Sequence, residues 1–160
     1  MRLSNLTTLI YITSEDRYLF IKKTRKGDFN YAKYLGIGGH FETGESPEDC
    51  VLRELYEESG LKMSDIEDFS YRGLVTFVND ICEPEYMHVF TASLKAADTP
   101  LKPCDEGELI WVPKDRVSDL PIWEGDKKMF ELLDAGDIGF FTLKLTYSGE
   151  VLTDTKTNIY

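Results

Sequence analysis

Glu54, Glu57 and Glu58 stand at i, i+3 and i+4, the spacing that brings three carboxylates onto one face of an α-helix. Like charges this close repel, and Glu57 and Glu58 fall in a last turn, where the helix dipole disfavours anions. Each penalty is only about a few tenths of a kcal/mol, so a solvated face can bear them. A divalent cation reverses their sign, because Mg²⁺ takes oxygen ligands and shares them with substrate phosphates. Periodicity alone leaves both readings open, a solvated acidic face or a metal site. The chemistry of the second is displacement at phosphorus, with charge neutralised on the phosphates and water activated by a carboxylate.

The helix that must position these carboxylates is well punctuated in sequence. Ser46 is a natural N-cap, Pro47 suits the first helical position, Glu48 and Asp49 put negative charge on the first turn, and Gly60 is a natural stop. Val51 and Leu55, four apart, face the core. Ahead of the helix, residues 35–41 include Gly36, Gly38 and Gly39, which permit close backbone approach to a ligand, and Thr43-Gly44-Glu45 turns the chain.

Around this unit the pattern predicts paired strands over 6–12 and 18–21, then strands over 71–78 and 87–94 joined by a polar loop containing Pro84. A short strand follows at 109–112, a helical turn at 113–117, a second helix at 126–133 closed by Gly136, and a hairpin of 140–145 with 151–153. The consistent class is α/β, a mixed sheet with helices on its faces, in one domain over residues 1–160.

Composition narrows the chemistry. With 42% hydrophobic and 29% charged residues the chain is that of a soluble globular protein, and its net charge of −11 argues against binding a nucleic-acid polymer. An acidic protein that handles polyphosphates must concentrate cations locally, as bound metal or as a basic loop. Lys22, Lys23, Arg25, Lys26 and Lys33 form such a cluster; it either receives phosphates or is simply a solvated loop. The N-terminal Met1 to Asn5 lack the apolar region of a signal peptide, and no run reaches transmembrane length, so no membrane association is expected. Cys50, Cys82 and Cys104 are odd in number and widely spaced, which suits reduced thiols in a cytoplasmic protein.

From Gly39, five residues lead to Glu45 and seven more to Arg53-Glu54-Leu55; Glu57-Glu58, Ser59 and Gly60-Leu61 follow. This stretch resembles the signature of the Nudix hydrolases at every defined position. The resemblance implies a Nudix fold, an α/β/α sandwich with a loop-helix-loop catalytic motif. It also implies hydrolysis of a nucleoside diphosphate linked to another group, with Mg²⁺ or Mn²⁺ as cofactor. On that pattern Glu54, Glu57, Glu58 and the backbone carbonyl of Gly38 hold the cations, Arg53 orients a carboxylate, and Glu45 supports the site from the loop. Glu106, five residues before Trp111, matches a further ligand of many relatives, with Asp105 and Glu108 as competitors. Glu54 is the first choice as general base and Glu58 the second.

The chain is similar to the MutT-like, nucleotide-sanitising branch over almost its whole length. That similarity implies a small-molecule nucleotide substrate, such as 8-oxo-dGTP, cleaved to the monophosphate and pyrophosphate by a monomer or homodimer. It places Thr8, Lys22 and Gly39 at the substrate, Trp123 on a purine face and Asp126 on its N–H donors; Trp123 is otherwise a core anchor for the second helix. Phe29, Phe77 and Met87 fall near pocket-lining positions and are otherwise core. Leu35, His40 and Gly125 depart from the branch's pattern and bear on which base is preferred. Other Nudix substrates, ADP-ribose or a dinucleoside polyphosphate, form a second reading, and a catalytically retired nucleotide-sensing domain a third. His88 is expected to be structural.

Overall fold

In strand β1 (Asn5–Ser14) alternate side chains enter different cores. Ile10 and Ile12 join one apolar cluster, and Tyr11 between them joins another. Strand β2 (Arg17–Lys23) repeats the pattern, with Leu19 in the first cluster and Tyr18 and Phe20 in the second. Burial on both faces is what a sheet covered on two sides requires. Helix α1 (Pro47–Ser59) covers one face with Val51 and Leu55, and helix α2 (Glu124–Asp134) covers the other with Met129, Phe130, Leu132 and Leu133. The architecture is the expected α/β/α sandwich.

These relations come from a computed structural model that describes residues 5–160. The first four residues, on which the leader expectation partly rests, lie outside the described residues. The remaining strands are β3 (Tyr34–Leu35), β4 (Ile37–His40), β5 (Ile66–Asn79), β6 (Cys82–Leu94), β7 (Gly107–Pro113), β8 (Phe141–Ser148) and β9 (Val151–Ile159). They form one mixed sheet in the order β3-β2-β1-β6-β5-β8-β9, with β4 paired to β1 and β7 to β2. The β1–β6 and β5–β8 pairs are parallel and the others antiparallel. No helix among the described residues is long and apolar enough to cross a membrane.

Several expectations need correction. The first two strands meet only at Thr13↔Tyr18 and Ser14↔Arg17. The rest of that edge of β1 pairs with β4, while β2 runs its whole length beside β7. The glycine segment is therefore largely strand. Pro84 lies inside β6, in the irregularity between Phe77↔Glu85 and Asn79↔Cys82, where a residue without an N–H disturbs no regular ladder. The last strand is much longer than 151–153, since β9 is a mostly exposed edge whose Thr, Asp and Lys side chains carry no apolar alternation. Backbone pairing with β8 makes it a strand.

Candidate active site

The acidic helix is anchored at both ends. Ser46 Oγ accepts from the Asp49 N–H at 3.1 Å and Asp49 Oδ2 accepts from the Ser46 N–H at 3.0 Å, a reciprocal capping box. At the other end Gly60 adopts φ +79° and its N–H donates to Tyr56 O at 2.9 Å. Two glycines of β4 set the distance between strand and helix. A Cβ on Gly38 would lie 1.8 Å from the Thr8 carbonyl oxygen, and one on Gly39 would lie 2.5 Å from Glu54 Oε1. These glycines thus serve close packing of β4 on β1 and make room for the Glu54 carboxylate.

Arg53 ties the loop to the helix. Its Nε and Nη2 donate to the two oxygens of Glu45 at 2.6 and 3.0 Å, Nη1 donates to Glu54 Oε1 at 2.8 Å and Glu57 Oε2 at 3.4 Å, and Nη2 reaches the His40 carbonyl at 3.0 Å. A planar guanidinium can serve these partners at once and an ammonium cannot. Its hydrogen bonds hold the Glu45 carboxyl down to about 2.

The three glutamates of the helix have different surroundings. Glu57 is exposed, Glu54 is half-buried beside Arg53, and Glu58 is only 7% exposed. Gly38 N–H donates to Glu58 Oε2 at 3.2 Å. Burial, then the neighbouring charges of Glu106 and Glu54, push the Glu58 carboxyl well above the usual carboxylate range. Glu106, and not Asp105 or Glu108, is the loop carboxylate that stands beside Glu58, and Lys23 Nζ donates to it at 2.9 Å. Lys23 thereby holds Glu106 below its ordinary value.

Among the described residues no three Asp, Glu, His or Cys side chains already converge as ligands on one point; Arg53 draws Glu54 and Glu57 toward itself. The donor set nevertheless suits Mg²⁺ or Mn²⁺. It offers hard oxygens only, and it keeps a buried carboxylate next to two like charges, where a cation relieves both burial and repulsion.

A second group of expected residues meets in a cavity of about 100 Å³. Phe29, Phe77, Met87, Trp123 and Asp126 line it, together with Leu9, Asn30, Leu35 and Glu85. Trp123 is 6% exposed and belongs to the core under α2. Phe29, 47% exposed, stacks on it at 5.3 Å and 27°, Lys33 Nζ lies 4.7 Å from its ring centre, and its Nε1 donates to Asn30 Oδ1 at 2.8 Å. The ring face under Phe29 becomes available to a base only when that side chain moves. Burial, and then the charge of Glu85, push the Asp126 carboxyl up to about 7.

Gly125, where the branch's pattern has an acidic residue, faces Leu145 and Tyr147. A Cβ there would come within 2.5 Å of Leu145 Cδ1 and 2.7 Å of the Tyr147 hydroxyl, which accepts the Gly125 N–H at 2.7 Å. Thr8 and Lys22 stand apart from the cavity. Thr8 is fully buried, with Oγ1 3.4 Å from Cys50 Sγ, and Lys22 extends over the Tyr34 ring. In the basic loop, Lys23 is paired with Glu106 and Lys33 with Glu150, while Arg25 and Lys26 are exposed. His88 lies within β6, with Nδ1 against the Tyr71 hydroxyl. Cys50, Cys82 and Cys104 are free thiols.

Glu85, Leu9 and Asn30 were not singled out in sequence. Glu85 had a usable signal, since it stands two residues before Met87 and a strand returns such positions to the same face. Asn30 had none, because its place depends on how residues 24–33 fold against Trp123.

A capped acidic helix, a glycine strand and a carboxylate from β7's approach, on a mixed sheet between helices, describe a phosphoanhydride hydrolase of one known kind. The NUDIX domain family model matches residues 4–133, so the chain belongs to the Nudix hydrolases, whose members act on phosphoanhydride bonds and generally use divalent metal ions. It is 32% identical over 135 residues to the oxidized purine nucleoside triphosphate hydrolase of Mus musculus, covering 83% of this chain and 81% of that one. A Danio rerio protein of the same name is 32% identical over 132 residues, covering 81% and 80%. Among solved structures, a MutT protein from Bacillus halodurans superposes with a TM-score of 0.76 at 25% identity, covering 96% and 97%.

Proposed function

We propose that the protein hydrolyses purine nucleoside triphosphates, oxidised forms such as 8-oxo-dGTP among them, to the nucleoside monophosphate and pyrophosphate. One observation carries the reading: the carboxylate end and the aromatic cavity flank β1 and share the basic loop, with Lys23 at Glu106 and Lys33 at Trp123. A triphosphate with its base in the cavity would run along that loop. The relatives of 32% identity named for oxidised purine triphosphates support the substrate class.

In this reading Glu54, Glu57, Glu58, Glu106 and the Gly38 carbonyl would hold Mg²⁺ or Mn²⁺. When bound, such an ion would supply charge neutralisation on the phosphates. Glu54 accepts the proton of the attacking water, with Glu58 the next candidate. Arg53 fixes the orientation of Glu54, and Glu45 fixes Arg53. Gly39 leaves the space that Glu54 occupies. Phe29, Phe77, Met87, Trp123 and Asp126 hold the base, while Thr8 and Lys22 act from behind, as supports of β4 and the loop. The enzyme is then a one-domain cytoplasmic guardian of the nucleotide pool, monomeric or homodimeric, and protects DNA indirectly.

Pyrophosphate release from 8-oxo-dGTP, dGTP, dATP and dCTP, beside phosphate-ester production from ADP-ribose and a dinucleoside polyphosphate, tests this directly. The expected result is Mg²⁺-dependent turnover with purine triphosphates preferred. Preference for ADP-ribose or the dinucleotide, or no turnover of any of them, would overturn it.

A further inference from the structure

The base-end cavity holds a carboxylate that none of the expected roles uses. Glu85 on β6 lies opposite Phe77 in the β5–β6 register and two residues before Met87, and all three side chains line the cavity. Thr7 Oγ1 donates to Glu85 Oε1 at 2.8 Å, which fixes the glutamate in the wall. Asp126 enters from the first turn of α2 and is buried, whereas Glu85 is half-buried. The other lining residues are Leu9, Leu35, Phe29, Phe77, Met87 and Trp123, except for Asn30, whose Oδ1 already accepts from the Trp123 indole.

The polar edge of any base in this cavity must therefore be met by two carboxyl groups, one from β6 and one from α2. A buried carboxylate beside a second, half-buried one is costly unless it is protonated or N–H donors face it. Burial, and then the neighbouring charge of Glu85, raise the Asp126 carboxyl to about 7, which makes Asp126 the proton holder near neutrality. One protonated and one ionised carboxyl supply a single O–H donor and several acceptors. Their complement is an edge with one acceptor and at least two N–H donors. Guanine-type bases present that edge through O6, N1–H and the 2-amino group. Adenine offers one donor group beside a ring acceptor, and hypoxanthine lacks the amino group.

We propose that Glu85 is a base-reading residue, and that with Asp126 it selects purines carrying a 2-amino-6-oxo edge. The proposal rests on the nucleotide reading of the site and adds to it the residue and the functional group that set the preference.

The test is equilibrium binding of the monophosphates dGMP, dIMP and dAMP to the full chain by calorimetry, which needs no turnover. The parent protein binds dGMP more tightly than dIMP or dAMP. Glu85→Gln keeps the shape of the side chain but presents an amide in place of one acceptor oxygen. Affinity for dGMP should fall about tenfold or more, the usual effect of losing a hydrogen bond to a charged group, while dIMP and dAMP change little and the dGMP:dIMP ratio moves toward one. Thr7→Val, which keeps the charge and removes its anchor, provides a second variant and should give a smaller loss in the same base order. Thermal unfolding verifies that both variants are folded. An unchanged dGMP:dIMP ratio in folded Glu85→Gln, or no dGMP preference in the parent, overturns the proposal. Failure of the nucleotide reading looks different: the parent would release no pyrophosphate from any triphosphate.

Discussion

At the scale of single residues, the proposed function gives Glu54 the chemistry and Asp126 the selection, and each role has its own test. Glu54→Gln preserves shape and the reach to Arg53 but cannot accept a proton as a base does. Its kcat should fall by about 10²–10⁴-fold in steady-state assays with the fold intact by circular dichroism; near-parental turnover would move the base to Glu58. Asp126 makes a prediction about pH. Its carboxyl is raised to about 7 in the folded protein, against about 4 in an unfolded chain, so ionisation opposes folding. Its contribution to stability is complete below about pH 4 and is lost as pH rises through 7. Asp126→Asn cannot ionise, so the parent should lose thermal stability relative to this variant between pH 5 and pH 8. A Tm difference that stays constant across that range would contradict the burial argument.

At the scale of elements, Arg53 and Gly125 show two ways of fixing a helix. Arg53 joins α1 to the loop through Glu45 and to the end of β4 through the His40 carbonyl. Arg53→Lys keeps the charge and loses the fork, so Glu54 loses its fixed orientation. The expected cost is about 10–100-fold in kcat, typical of a residue that orients metal-site groups, with α1 still helical. Activity equal to the parent's would mean that Glu54 needs no such support. Gly125 lets the start of α2 sit on β8. In Gly125→Ala the new methyl meets Leu145 and the Tyr147 hydroxyl, an overpacking that costs about 1–3 kcal/mol. Higher helix propensity returns at most about 1 kcal/mol, so the midpoint of urea unfolding should fall. An unchanged or higher midpoint would show that α2 can shift freely.

At the scale of the whole molecule, a chain of net charge −11 keeps Glu54, Glu58 and Glu106 near one another. A divalent cation that binds only the folded state adds about 2.7 kcal/mol at a hundred times its dissociation constant. Calorimetric scans should show Tm rising with Mg²⁺ well beyond the effect of Na⁺ at matched ionic strength, because general screening acts on the net charge alone. A Glu54→Gln, Glu58→Gln double variant should lose most of that rise, and excess EDTA should abolish turnover in the parent. Equal responses to Mg²⁺ and Na⁺ would place the cation elsewhere.

What the sequence determined by itself was local or periodic. Ser46, Pro47 and Gly60 marked the ends of α1 through backbone preferences that act within one turn. The i, i+3, i+4 spacing put Glu54, Glu57 and Glu58 on one face, and Val51 and Leu55 announced the buried side. Strands β1 and β2 were legible from their apolar and β-favouring residues on either side of the Ser14-Glu15-Asp16 turn, whereas β9 was read too short because an edge strand paired through its backbone needs no apolar pattern. Only the tertiary structure decided which carboxylates are near neighbours. Glu106 meets Glu58 across long sequence separation, and Glu85 meets Asp126 because a strand and a helix converge on one cavity. It also decided that the glycines of β4 make room for Glu54 and the strand beneath, and that Phe29 covers Trp123. Burial and like-charge proximity depend on which surfaces the folded chain brings together, and no property of an isolated residue encodes them.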